Sequence, residues 1–202
     1  DAFENLYQTY KQFLNTSASL YCGNVKQQVF HAKARKYVSS LECAVDANNV
    51  SSSVYHNLID TVNKNLDKMH QYVSLRKKCL GVEELHMYDI YTPMIADVAK
   101  KISFEEAKET VLKALAPLGE DYVNKVKEGF ENRWIDVYEN QGKRSGAYSA
   151  GAYGCHPYVL LNYNGTLDDM FTLAHEMGHA MHSNYSNEAQ PYIYAGYKIF
   201  VA

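Results

Sequence analysis

Apolar positions in the first three quarters of the chain recur at three- and four-residue steps, the period of helices that bury one face. Phe3, Leu6, Tyr7, Tyr10, Phe13 and Leu14 form the first such stripe. Tyr21-Cys22-Gly23-Asn24 is expected to break it, since glycine and asparagine disfavour helix interiors. A second helix is predicted from about Val25 to Ala47. Ser51-Ser52-Ser53 offers a hydroxyl N-cap for a third, which carries Tyr55, Leu58, Ile59, Val62, Leu66, Met69 and Val73 and ends at Gly81.

The helical period then lapses. Leu85 to Pro93 is aromatic-rich and closed by proline, which predicts a connecting strand or loop. Ser103-Phe104-Glu105-Glu106 has the spacing of a capping box, and the helix it opens stops near Pro117 and Gly119. A further helix carries Tyr122, Val126, Phe130 and Trp134. From Gln141 the texture changes: glycines punctuate a run with Tyr148 and Tyr153, and Pro157 to Tyr163 follows. These two runs predict extended strands in a small sheet. Asn164-Gly165 is a turn signal, and Thr166-Leu167-Asp168-Asp169 caps a last helix that continues through His182. Ser186 to Pro191 is expected as loop. The pattern predicts a mainly α chain with a small β-sheet beside the last helix. It divides into a helical segment, residues 1–100, and a second region, 101–202, holding the strands and that helix.

Composition bounds the function. With 202 residues, 47% apolar, 21% charged and a net charge of −3, the chain suits one globular domain or two small ones. The balance lacks the clustered Lys and Arg of a nucleic-acid footprint. No apolar run approaches the roughly 20 residues that span a bilayer, and the N-terminus shows no leader pattern. Four scattered cysteines, Cys22, Cys43, Cys79 and Cys155, are expected as free thiols in a reducing compartment. The chain opens on Asp1 and stops on the apolar run Ile199-Phe200-Val201-Ala202, which reads as a piece of a larger protein.

The candidate chemistry lies in His175-Glu176-Met177-Gly178-His179, mid-way along the last helix. Residues four apart share a helix face, so both imidazoles can reach one metal ion. Zinc suits such an open His site, being tetrahedral and redox-inert. Glu176 stands partly aside from the two ligands, placed to take a proton from an activated water and deliver it to a leaving amine. A catalytic zinc wants a third protein ligand. A third His six residues after His179 is excluded, because position 185 is Tyr and the glycine that pattern needs is His182. Glu188 is the one acidic residue after His179, and it is expected in solvated loop rather than on the metal. His156, just before a strand, is a weaker candidate for substrate contact.

Gly142-Lys143-Arg144-Ser145-Gly146-Ala147-Tyr148, His156 through Tyr163, Gly165 through Asp169, the zinc helix, Gln190-Pro191-Tyr192 and Ile199 through Ala202 together resemble oligoendopeptidase F, a bacterial relative of thimet oligopeptidase. The match runs in order from about Ser103 to the end; the helical first half is compatible but less distinctive. The resemblance implies a helical, clam-like zincin (gluzincin) fold and a cytoplasmic zinc endopeptidase acting on short peptides. His175 and His179 would be the Zn2+ ligands and Glu176 the general base. Gly146, Ala147 and Tyr148 would form the edge strand that pairs with substrate backbone. Asp168 and Asp169 would cap the zinc helix or support a ligand imidazole from behind. The family's third ligand is a Glu directly after Phe-Val-Ala, here the position following Ala202, with oxyanion-stabilising His and Tyr residues later still. On that reading the 202 residues alone hold zinc weakly and hydrolyse little. Two other readings remain open: a non-catalytic helical module that binds peptides through the strand near Tyr148, and an unusual complete site of His175, His179 and Glu188.

Overall fold

The computed structural model describes residues 1–95 and 100–202. It separates into two compact units, Asp1–Asp97 and Val98–Ala202. The first is built from α1 (Ala2–Gln12), α2 (Leu14–Ala34), α3 (Ser40–Asp46), α4 (Ser52–Lys64) and α5 (Leu66–Leu80), with a single 3-10 turn at Met87–Asp89. Its helix breaks differ from those the sequence predicts. α2 runs straight through Tyr21 to Asn24, and the break falls at Phe13, whose N–H donates to the Tyr10 carbonyl at 3.0 Å. One interior glycine costs a helix only about 1 kcal/mol, which Gly23 evidently does not turn into a break. The predicted second helix splits instead after Ala34, where Lys36 takes a left-handed conformation, and α3 restarts at Ser39, whose hydroxyl accepts from the Glu42 N–H at 3.1 Å. The third splits at Asn65 into α4 and α5. Ser51 caps α4 as expected, and Gly81, left-handed at φ 66°, ends α5. Leu85 to Pro93 is irregular apart from its one turn, and Arg76 holds it by donating to the carbonyls of Asp89 and Thr92. Most large apolar side chains of α1, α2, α4 and α5 are exposed within this unit.

The second unit holds α6 (Phe104–Ala114), α7 (Glu120–Glu131), β1 (Ile135–Asp136), β2 (Tyr148–Ala150), β3 (Tyr158–Leu160), α8 (Leu167–Ala189) and α9 (Tyr192–Ala195), with 3-10 turns at Ala116–Leu118 and Ile199–Val201. The strands run in the order β1-β3-β2. β3 pairs parallel with β1, Val159 opposite Ile135, and antiparallel with β2, Leu160 opposite Tyr148. β1 is absent from the sequence prediction because two residues show no alternation. Ser103 caps α6, its hydroxyl accepting from the Glu106 N–H at 3.2 Å, but the Glu106 carboxylate turns to Lys100, 2.6 Å away. The architecture is thus mainly α, a helical zincin-like fold with a small sheet packed on α8. Among the described residues no helix is long and apolar enough to cross a membrane.

One core holds this unit. Val111, Val126, Trp134, Val159, Leu161, Leu173, Met177 and Met181 lie buried in a single cluster. Each fully buried side chain of that size contributes about 1.5–3 kcal/mol, so α8 is fixed chiefly by Leu173, Met177, Ala180 and Met181. Gly129 permits the closest approach. A Cβ there would stand 2.9 Å from the Trp134 ring and 3.1 Å from the Met177 methyl.

α8 starts on a complete capping box. Thr166 Oγ1 accepts from the Asp169 N–H at 3.1 Å, and Asp169 Oδ2 accepts from the N–H groups of Thr166 and Asn164 at 2.9 and 3.0 Å. Gly165, at φ 83°, makes the turn before it. Burial acts to raise the Asp169 carboxyl, but hydrogen bonds from Thr166, Asn164 and Gly165 outweigh it and hold it below the ordinary value. Asp169 therefore caps the helix, as its sequence position predicts.

Two outcomes follow for stability. Gly129→Ala lowers it by a net ~1–2 kcal/mol in urea denaturation, because the Met177 methyl can move aside but the Trp134 ring cannot. A carboxylate depressed in the fold stabilises it above the unfolded value of about 3.9, and that contribution fades as pH falls through the lower folded value. Asp169→Asn thus makes the protein less stable near neutral pH, and it flattens the loss of stability on acidification below about pH 4. Equal pH profiles for the two proteins would refute this.

Candidate metal centre

α8 presents two faces. Leu173, Met177, Ala180, Met181 and Asn184 point into the core, while His175, His179 and His182 lie on the opposite side. With about 100° between successive residues, Glu176 falls on the boundary between them. It is buried, 7% exposed, whereas His175 is exposed and His179 half-buried.

The two imidazoles converge. Nε2 of His175 and Nε2 of His179 are 3.1 Å apart, with ring centroids 4.7 Å apart and planes at 88°. Two ligands at 2.0–2.1 Å from a tetrahedral zinc stand about 3.3 Å from each other. The separation seen here matches that requirement, so the pair fits a zinc ion. Among the described residues no third His, Cys, Asp or Glu joins them.

Glu188 does not serve. The sequence reading of Ser186 to Pro191 as loop is corrected: α8 continues to Ala189, and Gln190 turns extended ahead of Pro191. Nine residues of helix carry Glu188 about 13 Å along the axis from His179. There it accepts from Asn184 Nδ2 at 2.9 Å and lies 3.5 Å from Lys125 Nζ. The complete site of His175, His179 and Glu188 is therefore ruled out. His156 is also placed elsewhere. Its ring stacks on Trp134, centroids 5.1 Å apart and planes 2° apart, and its Nδ1 donates to the Pro157 carbonyl at 2.8 Å. It lines a separate hollow with Lys125 and Asn184.

Beside the His pair, Ala147, Phe171, Thr172, His175 and Glu176 enclose an open hollow of about 560 Å³. Ala147 and Thr172 also wall a neighbouring one of about 370 Å³, with Gly146, Asn162 and Asp168. Phe171 and Thr172 escaped the sequence reading, although each stands four residues before a motif residue and so shares its face. Of the three predicted strand residues, Tyr148 lies in β2, and Gly146 and Ala147 form its approach. Asn162 Nδ2 shapes that approach by donating to the carbonyls of Arg144 and Gly146 at 2.9 and 2.8 Å. β2 is an edge strand, paired on one side with β3. A Cβ on Gly178 would meet nothing within 4 Å, so the space beside the His pair is open.

The sequence model of Peptidase family M3 matches residues 1–202. Oligopeptidase PepF of Bacillus subtilis is 51% identical over 202 residues, all of this chain and 30% of the relative. The chromosomal oligoendopeptidase F of Lactococcus lactis subsp. cremoris is 46% identical over 201 residues, again all of this chain and 33% of the relative. The chain thus spans about a third of the length of these relatives. A crystal structure from Chlamydophila abortus superposes with a TM-score of 0.84 at 44% identity, covering 96% of this chain and 33% of that one. Oligoendopeptidase-F from Enterococcus faecium superposes at 0.63 with 37% identity, covering 93% of this chain and 28% of that one. Matched from first residue to last by the family's sequence model, and at 51% identity by a relative, the chain belongs to peptidase family M3.

Proposed function

We propose that this chain carries the zinc helix of a metalloendopeptidase that cleaves internal bonds of short peptides. The observation that carries the reading is the 3.1 Å approach of two imidazole nitrogens on one helix face, with a buried carboxylate one residue along. His175 and His179 would hold the ion through Nε2, the atoms that converge. When bound, zinc acidifies water and polarises the scissile carbonyl. Glu176 takes a proton from the attacking water, whose oxygen bonds to the carbonyl carbon; the same carboxyl then gives that proton to the amine nitrogen as the C–N bond breaks. Burial of Glu176 among the α8 flank residues limits its contact with bulk solvent.

The small residues Gly146 and Ala147 let a peptide backbone come close to the hollow, and the edge of β2 at Tyr148 offers strand addition. A catalytic zinc takes three protein ligands; by the family resemblance the third would be a Glu directly after the Phe-Val-Ala segment. The four free thiols accord with a cytoplasmic setting.

In the full-length protein, one zinc per chain is expected. His175→Ala and His179→Ala lose it, and Glu176→Gln keeps it while slowing hydrolysis of a quenched fluorescent peptide by ~10²–10⁴-fold. An active Glu176→Gln enzyme would sink the assignment. Peptide binding that survives both chelator and Glu176→Gln, without hydrolysis by the wild type, would favour a non-catalytic binding module.

A further inference from the structure

After α8 the chain doubles back along that helix. Ser186 Oγ donates to the Ala195 carbonyl at 2.5 Å. One turn nearer the His pair, Ser183 Oγ and Tyr197 OH stand 2.9 Å apart. The Tyr197 ring lies flat on His182, with centroids 3.7 Å apart and planes 8° apart. Contacts therefore step backward along α8 as the chain runs forward, from position 186 to 183 and 182. The next turn in that direction holds Gly178 and His179, where a Cβ on Gly178 would meet nothing within 4 Å. His182 itself lies three residues from His179 and seven from His175, on the metal face. Its ring is committed to Tyr197, and it forms no three-ligand cluster with the other two.

We infer that the His182–Tyr197 stack is a clamp that leads the returning segment to the open side of the metal face, which makes both positioning residues for the zinc site. The inference rests on the metallopeptidase reading above. Two imidazoles on one helix leave a catalytic zinc one protein ligand short, and that ligand has to come from another segment held to within about 0.5 Å. A hydroxyl contact and a flat aromatic contact, side by side on one residue, fix both the height and the rotation of the segment against α8. Groups that orient ligands from behind in this way are worth about 10–100-fold in metal affinity.

The test uses the full-length protein, with zinc affinity read by chelator competition and coordination read from the visible spectrum of the cobalt(II)-substituted form. Tyr197→Ala and His182→Ala each weaken zinc by ~10–100-fold and dim the cobalt bands, as water replaces a protein ligand. His182→Phe restores most of the affinity, since one flat ring replaces another. Tyr197→Phe, which loses only the contact with Ser183, shows a smaller loss than Tyr197→Ala. Unchanged affinity and spectrum in Tyr197→Ala overturn the clamp. So does a His182→Phe protein as weak as His182→Ala, for the imidazole itself would then be what the site requires. A wild type that holds no zinc, or a His175→Ala protein that holds it fully, brings down the metallopeptidase reading instead; zinc in the wild type with no effect of Tyr197→Ala brings down the clamp alone.

Discussion

The rotational setting of α8 is the constraint on which everything else depends. Side-chain tips ride at about 5–6 Å from a helix axis, so a roll of about 20° carries them about 2 Å. A metal site tolerates about a quarter of that. Leu173, Met177, Ala180 and Met181 lock the roll from one side by filling the core beneath α6, α7 and the sheet. The capping box of Thr166 and Asp169 fixes where the helix begins. Those contacts involve no chemistry, yet they decide whether two imidazoles on the far face meet at 3.1 Å or diverge.

Glu176 shows how the two faces are reconciled. In the proposed role, a base set among the ligands would compete with them for the metal, and one set in the core would never meet substrate. At the boundary it is largely buried and still borders the hollow that His175 and Ala147 line. Ala147 reaches that hollow only because β2 packs on α8, and β2 holds its place through β3 and the Asn162 amide. The small sheet is thus the second wall of the site, and Gly129 matters to it at a distance by admitting Trp134 beneath the helix.

Features governed by neighbouring residues were legible in the sequence. The His175–His179 spacing, the caps at Ser51 and Thr166, the left-handed Gly81 and the turn at Gly165 each arise within one helical turn of the residues that announce them. Gln190 belongs with them: the proline after it forces it extended, so the end of α8 was legible by the same kind of rule, although the serine- and asparagine-rich stretch from Ser183 to Asn187 obscured it. What was not legible depends on distant partners. Gly23 stays helical where propensity predicts a break, and β1 exists only because Trp134 and Asp136 offer carbonyls to the N–H groups of Val159 and Leu161 at 2.8 and 2.9 Å. Glu106 leaves its capping position for Lys100, and His156 settles on a tryptophan twenty-two residues earlier. Spacing along the chain carries no sign of either.

The same distinction explains why a helix motif alone leaves a zinc site unfinished. Two ligands four residues apart hold an ion between adjacent turns. Seven residues beyond the first, His182 lies about 10 Å further along the axis, and Tyr197 covers its ring. On the proposed reading, a single straight helix therefore offers two imidazoles and a base but cannot close the coordination from its own face. Closure has to come from a segment that returns to the helix, and a returning segment is only as accurate as its anchors. In this chain the anchors step along α8 at Ser186, Ser183 and His182, each one nearer the His pair than the last.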